Sequence, residues 1–301
     1  MTKTRINKIK PTGSDRVVFA VSYVVTTLFA LICVYPLIYV ISMSLSSDNA
    51  VMSNSVWFLP RGLNLESYKT ALSKPELVAS IKNSVIYTVV GTALSVFLTF
   101  SFGFSLSRKN TWFNGFLQTY ATICMIFSGG LIPTFIVMTK LGLFDSMWAV
   151  IFSGTLSIWN AILVRVFIKT NISESLFEAA RIDGANDLQQ FFKLVLPLSP
   201  TIIAIIALYA AVDYWNGYLE ALIYLSTKTK WPLQVYLRNV LEDTSGYLTV
   251  GLQGDELFAF MANRNRIKFV TIVISTLPVI LAYPFLQKFF VQGIMIGAIK
   301  E

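Results

Sequence analysis

Six stretches of this chain are each long and apolar enough to cross a lipid bilayer as a helix, and that feature removes most folds from consideration. They run from Val17 to Met43, Val78 to Leu106, Phe116 to Met138, Met147 to Ile168, Pro200 to Leu225 and Phe269 to Phe290. The hydrocarbon layer offers no water to backbone N–H and C=O groups, so a crossing takes about 20 residues wound into a helix that satisfies its own. Only 13% of the 301 residues are charged and the mean hydropathy is +0.64, which leaves little sequence for a soluble domain. The expected fold is all-α and polytopic: a tail over 1–16, then one transmembrane domain over 17–301. The first stretch is too long for a secretory signal and lacks a small-residue cleavage pattern after it, so it reads as a retained helix.

Several function classes fall away at once. The chain has no His, and its two cysteines, Cys33 and Cys124, lie inside expected spans, so imidazole catalysis, a disulfide framework and a Cys-based metal site are not indicated. No nucleophile sits beside a base, which disfavours a membrane-embedded enzyme. No Gly-rich phosphate loop ends in Lys and Ser or Thr, so energy must enter from another subunit.

A net charge of +8 suggests nucleic acid in a soluble protein, but in a membrane chain Lys and Arg chiefly set orientation. Lys3, Arg5, Lys8, Lys10 and Arg16 precede the first stretch, Arg108 and Lys109 follow the second, and Arg165, Lys169, Arg181 and Lys193 lie between the fourth and fifth. These segments share one side, read as cytoplasmic, and both termini are expected there. The long segment 226–268 dissents, with Lys228, Lys230, Arg238, Arg264, Arg266 and Lys268, although the rule weakens for long loops. This segment and 44–77 are read as ordered and on the outer face, the former, with Gly246, Gly251 and Gly254 among Tyr247, Leu248, Leu252, Leu257 and Phe258, being either a surface cap or a contact for an external protein. In the third stretch, Ser128, Gly129, Gly130 and Pro133 loosen the helix, for packing more than for a gate.

Between the fourth and fifth stretches, 171–198 is amphipathic and not spanning. Ser175 and Glu178 stand at capping-box spacing before Ala179, Ala180 and Arg181. Gly184 ends that helix, Asn186 or Asp187 starts a second through Phe191, Phe192 and Leu194, and Pro197 closes it. The expectation is helix, sharp turn, helix at the cytoplasmic surface.

Glu178-Ala179-Ala180, Gly184, Leu194, Leu196 and Pro197 resemble the EAA signature of ABC importer permeases. Six stretches, Leu59-Pro60 followed by Tyr68, and Trp215-Asn216 extend the likeness over essentially the whole chain, to the maltose-type carbohydrate-uptake permeases and their oligosaccharide and polysaccharide-fragment branch. The resemblance implies a type I importer permease fold in the cell (inner) membrane and a non-catalytic role in carbohydrate uptake. It implies that Glu178, Ala179, Ala180, Asp183, Gly184, Leu196 and Pro197 dock an ATPase. It also implies no cofactor on this chain, with ATP and Mg on the partner ATPase. The implied partners are a second homologous permease, a homodimeric carbohydrate-type ATPase, an extracytoplasmic sugar-binding protein and membrane lipid, with no nucleic acid. The loop over 226–268 is then a contact for the binding protein, and the tail over 293–301 a contact for the ATPase.

Charged groups at membrane depth cost about 2.5–3.5 kcal/mol on insertion scales, so they face a bundle interior or a water-filled cavity. At helical spacing Tyr209, Asp213, Asn216, Glu220 and Tyr224 form one stripe, expected to line a pathway for hydroxyl-rich ligands. Asn160, Ser157, Ser153, Tyr87 and Asn83 are candidates on facing helices, while Tyr214, Trp215 and Tyr218 point away and pack. Taken singly, each polar group is better explained by hydrogen bonding between helices, a reading that weakens for the stripe as a whole. The alternative class is an ion-coupled carrier with Asp213 and Glu220 as the ion-binding groups, which leaves 171–198 without a purpose.

Overall fold

The computed structural model describes residues 13–108, 113–242 and 254–298. In chain order its helices are α1 (Gly13–Ser44), α2 (Asp48–Met52), α3 (Glu66–Leu72), α4 (Pro75–Ser107), α5 (Asn114–Ile126), α6 (Leu131–Lys140), α7 (Met147–Gly154), α8 (Ile158–Asn171), α9 (Glu174–Ile182), α10 (Asp187–Gln190), α11 (Pro200–Asn216), α12 (Leu219–Tyr224), α13 (Leu233–Glu242) and α14 (Gly254–Ala298). A π-helical turn occupies Phe191–Val195 and a 3-10 turn Lys228–Lys230. No strand occurs among the described residues, and the chain is the all-α polytopic protein its composition demands.

Two compact units divide it, 1–69 with 247–273 and 70–246 with 274–301. In the first, Met43, Ala50, Val51 and Val56 form a small core joined by Tyr39 and Phe269. Polar contacts pin the segment after α1: Ser42 Oγ donates to the Phe58 carbonyl at 2.7 Å, the Ser44 and Tyr68 hydroxyls lie 2.7 Å apart, and Arg266 Nε meets Asp48 Oδ1 at 2.6 Å. From Val17 to Val34 the side chains of α1 are exposed all round, the surface of a helix that lipid or another subunit must cover.

The second unit is built on α4, a continuous 33-residue helix against which α8 and α11 pack. A Cβ on Gly103 would lie 2.8 Å from the Ala161 carbonyl of α8, so Gly is what lets these helices approach. Gly91 does the same for the Tyr214 ring, 2.6 Å from where a Cβ would stand. At one end of this bundle Phe100, Phe104, Val164, Ile168, Ile172, Phe177, Phe191, Val195, Ile202 and Ile206 share a core.

Three helices, Asp15–Ser44, Pro75–Ser107 and Glu256–Pro284, are long and apolar enough to cross a bilayer unaided. Three bent pairs raise the number to six when each is one span: α5 with α6 at 120°, α7 with α8 at 48°, and Asp187–Val195 with α11 at 92°. The first two expected spans therefore appear as continuous helices, but the next three are broken. Around Ser128–Gly130 the third folds back on itself, with Gly130 at φ 83° before α6, so the small residues make a full break and not the packing adjustment expected. The fifth stops at Asn216 and resumes at Leu219; α11 alone has 17 residues and spans about 25 Å, short of a full crossing. The last helix begins at Gly254, well before Phe269, so the outer segment taken as 226–268 is shorter and Arg264, Arg266 and Lys268 ride on α14. Lys3, Arg5, Lys8, Lys10, Lys109, Gly246, Tyr247, Leu248, Gly251 and Leu252 lie outside the described residues, as does the end of the tail, 299–301.

Candidate functional site

The segment 171–198 folds into two short helices joined by a turn that is capped on both sides. Its first helix is α9, whose N-cap is Ser173 and not Ser175: the Ser173 and Ser175 hydroxyls lie 3.0 Å apart, and no Ser175–Glu178 capping box forms. The spacing was right for a box, but Ile172 is buried in the bundle core and starts the helix two residues sooner. At the other end the Gly184 N–H donates to the Arg181 carbonyl at 2.9 Å and the Ala185 N–H to the Ala180 carbonyl at 2.9 Å, the paired bonds of a Schellman cap. That cap needs a left-handed residue, and Gly184 sits at φ 80° with nothing within 4 Å of a would-be Cβ. Asn186 opens α10 with a complete capping box, accepting from the Gln189 N–H at 2.9 Å while its own N–H donates to Gln189 Oε1 at 3.0 Å. The π turn after it sets both Phe191 and Val195 into the core.

Phe177 is the residue that seats α9. It is 1% exposed, at the centre of the apolar core, and burial of a Phe side chain stabilises by about 1.5–3 kcal/mol. Glu178, Ala179, Asp183, Gly184 and Pro197 are exposed, Ala180 and Leu196 half-buried, so the docking residues named from the sequence form an outward surface beside Ile182 and Leu188. Sequence reasoning missed Phe177, although the apolar face of the short helix was a signal for it.

The polar stripe is shared between two helices. Tyr209, Asp213 and Asn216 follow one face of α11, but the chain breaks at Gly217 and Tyr218, and Glu220 belongs to α12. Two cavities nevertheless collect these groups. One of about 680 Å³ is lined by Tyr209, Asp213, Asn160, Ser157 and Trp215 among others; the second, of about 440 Å³, is lined by Asp213, Asn216, Gly217, Glu220 and Ser153. Asp213 borders both, and no Lys or Arg stands among the described residues that line them.

Neither Tyr224 nor Tyr87 is among the described residues that line these two cavities. Tyr224 is buried and stacks on Phe135 with ring centroids 6.0 Å apart, turned out of the stripe by the break at Gly217. The Tyr87 hydroxyl donates to the Lys230 carbonyl at 2.8 Å, and Asn83 Nδ2 donates to the carbonyls of Thr229 at 2.8 Å and Trp231 at 3.1 Å. Both hold the connection after α12 to the start of α4. As expected, Tyr214 packs: its hydroxyl donates to the Ile151 carbonyl at 2.7 Å. Trp215 donates from Nε1 to the Ser275 carbonyl at 2.9 Å, while its ring also borders the larger cavity.

The same connection is gripped by Asp145, a residue the sequence did not single out, since a lone Asp in a loop carries no pattern. Its carboxylate accepts from the N–H groups of Ser226 at 3.0 Å and Thr227 at 2.9 Å, from the Thr227 hydroxyl at 2.7 Å and from Lys230 Nζ at 2.6 Å. Hydrogen bonds from Lys230 and Thr227 hold this carboxyl well below the usual carboxylate range.

Residues 95–296 match the family described as "Binding-protein-dependent transport system inner membrane component". The polygalacturonan/rhamnogalacturonan transport system permease protein YtcP of Bacillus subtilis (strain 168) is 42% identical over 276 residues, covering 91% of this chain and 94% of that protein. Protein LplC of the same organism is 36% identical, with coverages of 89% and 90%. A crystal structure of a bacterial ABC transporter involved in the import of the acidic polysaccharide alginate contains a chain that aligns with a TM-score of 0.85 at 34% identity, over 94% of this chain and 100% of that one. The capped turn at Gly184, the broken apolar helices and these likenesses agree: the chain belongs to the binding-protein-dependent transport system inner membrane components, as a non-catalytic, multi-pass permease subunit of an ABC importer.

Proposed function

We propose that this chain imports carbohydrate, in the form of oligosaccharide or polysaccharide fragments, together with a second homologous permease, a homodimeric ATPase bearing ATP and Mg, and an extracytoplasmic sugar-binding protein. The observation that carries the coupling half of this reading is the segment 171–198: a turn closed by a Schellman cap and a capping box, seated by Phe177, with Glu178, Ala179, Asp183 and Gly184 facing outward and α11 following directly. Closure of an ATPase against that surface turns α11 as a rigid body, and α11 carries Tyr209, Asp213 and Asn216 along the two cavities. Asn160 from α8 and Glu220 from α12 complete the polar pathway, where carboxylates and amides exchange hydrogen bonds with sugar hydroxyls and Trp215 offers an apolar face.

The substrate half of the reading is supported by relatives named for galacturonan transport and alginate import. The docking end is read as cytoplasmic, with both termini on that side. Three of the cations that dissent from this orientation have carboxylate partners, Lys230 with Asp145, Arg238 with Glu242 and Arg266 with Asp48. Family membership leaves the ion-coupled alternative without support.

The test is affinity purification of the tagged membrane complex, followed by ATPase assays with the binding protein and fragments of polygalacturonan or raffinose. Co-purification of a second permease and an ATPase, stimulated by one of these sugars, is the expected result; recovery of this chain alone, or stimulation by neither sugar, overturns the docking or the substrate assignment respectively.

A further inference from the structure

We propose that Arg108 is a positioning residue that ties α9 to α4, so that movement of the docking helix reaches α4 as well as α11; this rests on the docking reading above. Arg108 directly follows α4 and is 5% exposed. Its guanidinium carbon lies 3.9 Å from the centroid of the Phe177 ring, its Nη2 3.3 Å from Glu174 Oε1, and its Nη1 donates to Glu174 Oε2 at 3.4 Å. A buried guanidinium is costly unless paired, and this one draws its stabilisation from the first turn of α9 and from the aromatic face behind it. The planar fork must face ring and carboxylate together, so the contact sets orientation as well as distance.

The backbone of Arg108 gathers the neighbouring helices. Asn114 Nδ2 of α5 donates to the Arg108 carbonyl, Gln118 Nε2 donates to Asn114 Oδ1, and Arg165 Nη2 of α8 donates to Gln118 Oε1 at 3.1 Å. One residue thus holds α5 and α8 through its carbonyl and α9 through its side chain. Covalent continuity already links the docking turn to α11 through 191–199, whereas 109–173 separate α4 from α9 in the chain. Phe177 already shares a core with Phe100 and Phe104 of α4, but burial is non-directional; Arg108 is the charged strut placed to fix the orientation of α9 on α4 as both move.

The test uses the intact complex with Cys33 and Cys124 replaced and nitroxide labels at exposed Leu98 of α4 and Ile182 of α9. Label-to-label distances are measured without nucleotide and after trapping with ATP and vanadate. In the otherwise unaltered protein the distance should stay the same on trapping, because the helices move together. In Arg108→Gln and Glu174→Gln it should shift by several ångströms on trapping. A purely structural role displaces the pair equally in both states, and that outcome, or variants that behave like the parent, overturns the proposal. Glu174 is 68% exposed at its side chain, so Glu174→Gln carries the test should Arg108→Gln fail to assemble. Absence of an ATPase from the purified parent complex instead overturns the docking reading.

Discussion

The two ends of α4 hold a segment each, and they do so with different balances of burial and hydrogen bonding. At its C-terminal end the proposed docking segment is fastened by burial: Phe177 and Phe191 enter the apolar core. About 30 Å away, taking 1.5 Å per residue from Ser84 to Phe104 along α4, the connection 226–233 is laced down by hydrogen bonds with Asp145, Tyr87, Asn83 and Ser84, the last accepting from the Leu233 N–H at 2.7 Å. Burial is non-directional and is lost only when the whole side chain leaves, so the docking segment moves as part of the bundle. The connection has a smaller core of Tyr87, Val150, Leu225 and Val235, and over it the exposed bonds of Asp145 to Ser226 and Thr227, each contributing about 0.5–1.5 kcal/mol net, exchange readily with water, so its outer part can be released bond by bond. A force-bearing contact suits the first arrangement, and a contact that must rearrange around an arriving protein suits the second.

Phe177→Ala tests the contrast most severely. Loss of a buried Phe costs about 3–5 kcal/mol, so both retention of the ATPase on purification and uptake should disappear. Gly184→Val should come next: a β-branched residue at φ 80° costs about 1–3 kcal/mol and breaks the Schellman cap, so uptake should be lost while the amount of inserted protein, read by immunoblot of membranes, stays normal. Asp145→Asn, at the other end, should leave ATPase retention unchanged and raise hydrogen exchange across 226–233; an equal loss of ATPase would erase the distinction between the two ends.

Acidification sharpens the same point. A carboxyl held below its ordinary range contributes stability that is present above the unfolded value, about 3.9, and is lost as pH falls through the folded one. Exchange protection of 226–233, corrected for intrinsic rates, should therefore be flat from about pH 8 to pH 5, with release confined to stronger acid. The smallest effect belongs to Tyr87→Phe, which removes one hydrogen bond and should loosen the connection by about 0.5–1.5 kcal/mol, visible only as a modest rise in exchange near Lys230.

The proposed docking end was largely readable from the sequence, because its devices are local. Gly184 and Asn186 act on backbone groups within a few residues, so spacing alone announces them. The N-cap moved from Ser175 to Ser173 because the burial of Ile172, a contact with distant parts of the chain, outweighed a local pattern. Asp145 was invisible for the same reason: its partners lie about eighty residues on, and nothing near it in sequence hints at them.

Hydropathy sufficed for the all-α membrane class and for the two longest spans before α5, since a backbone in lipid must bond to itself within one segment whatever surrounds it. Packing settled the rest. Whether a Gly-containing stretch stays one helix or breaks, as at Gly130 and Gly217, depends on which neighbours receive the freed carbonyls and amides. Likewise the Tyr209–Tyr224 stripe was sound as helical geometry, yet the break at Gly217 turned Tyr224 into the core and left Asp213, Asn216 and Glu220 around one cavity. Periodicity is a property of a single helix, and a cavity belongs to several at once.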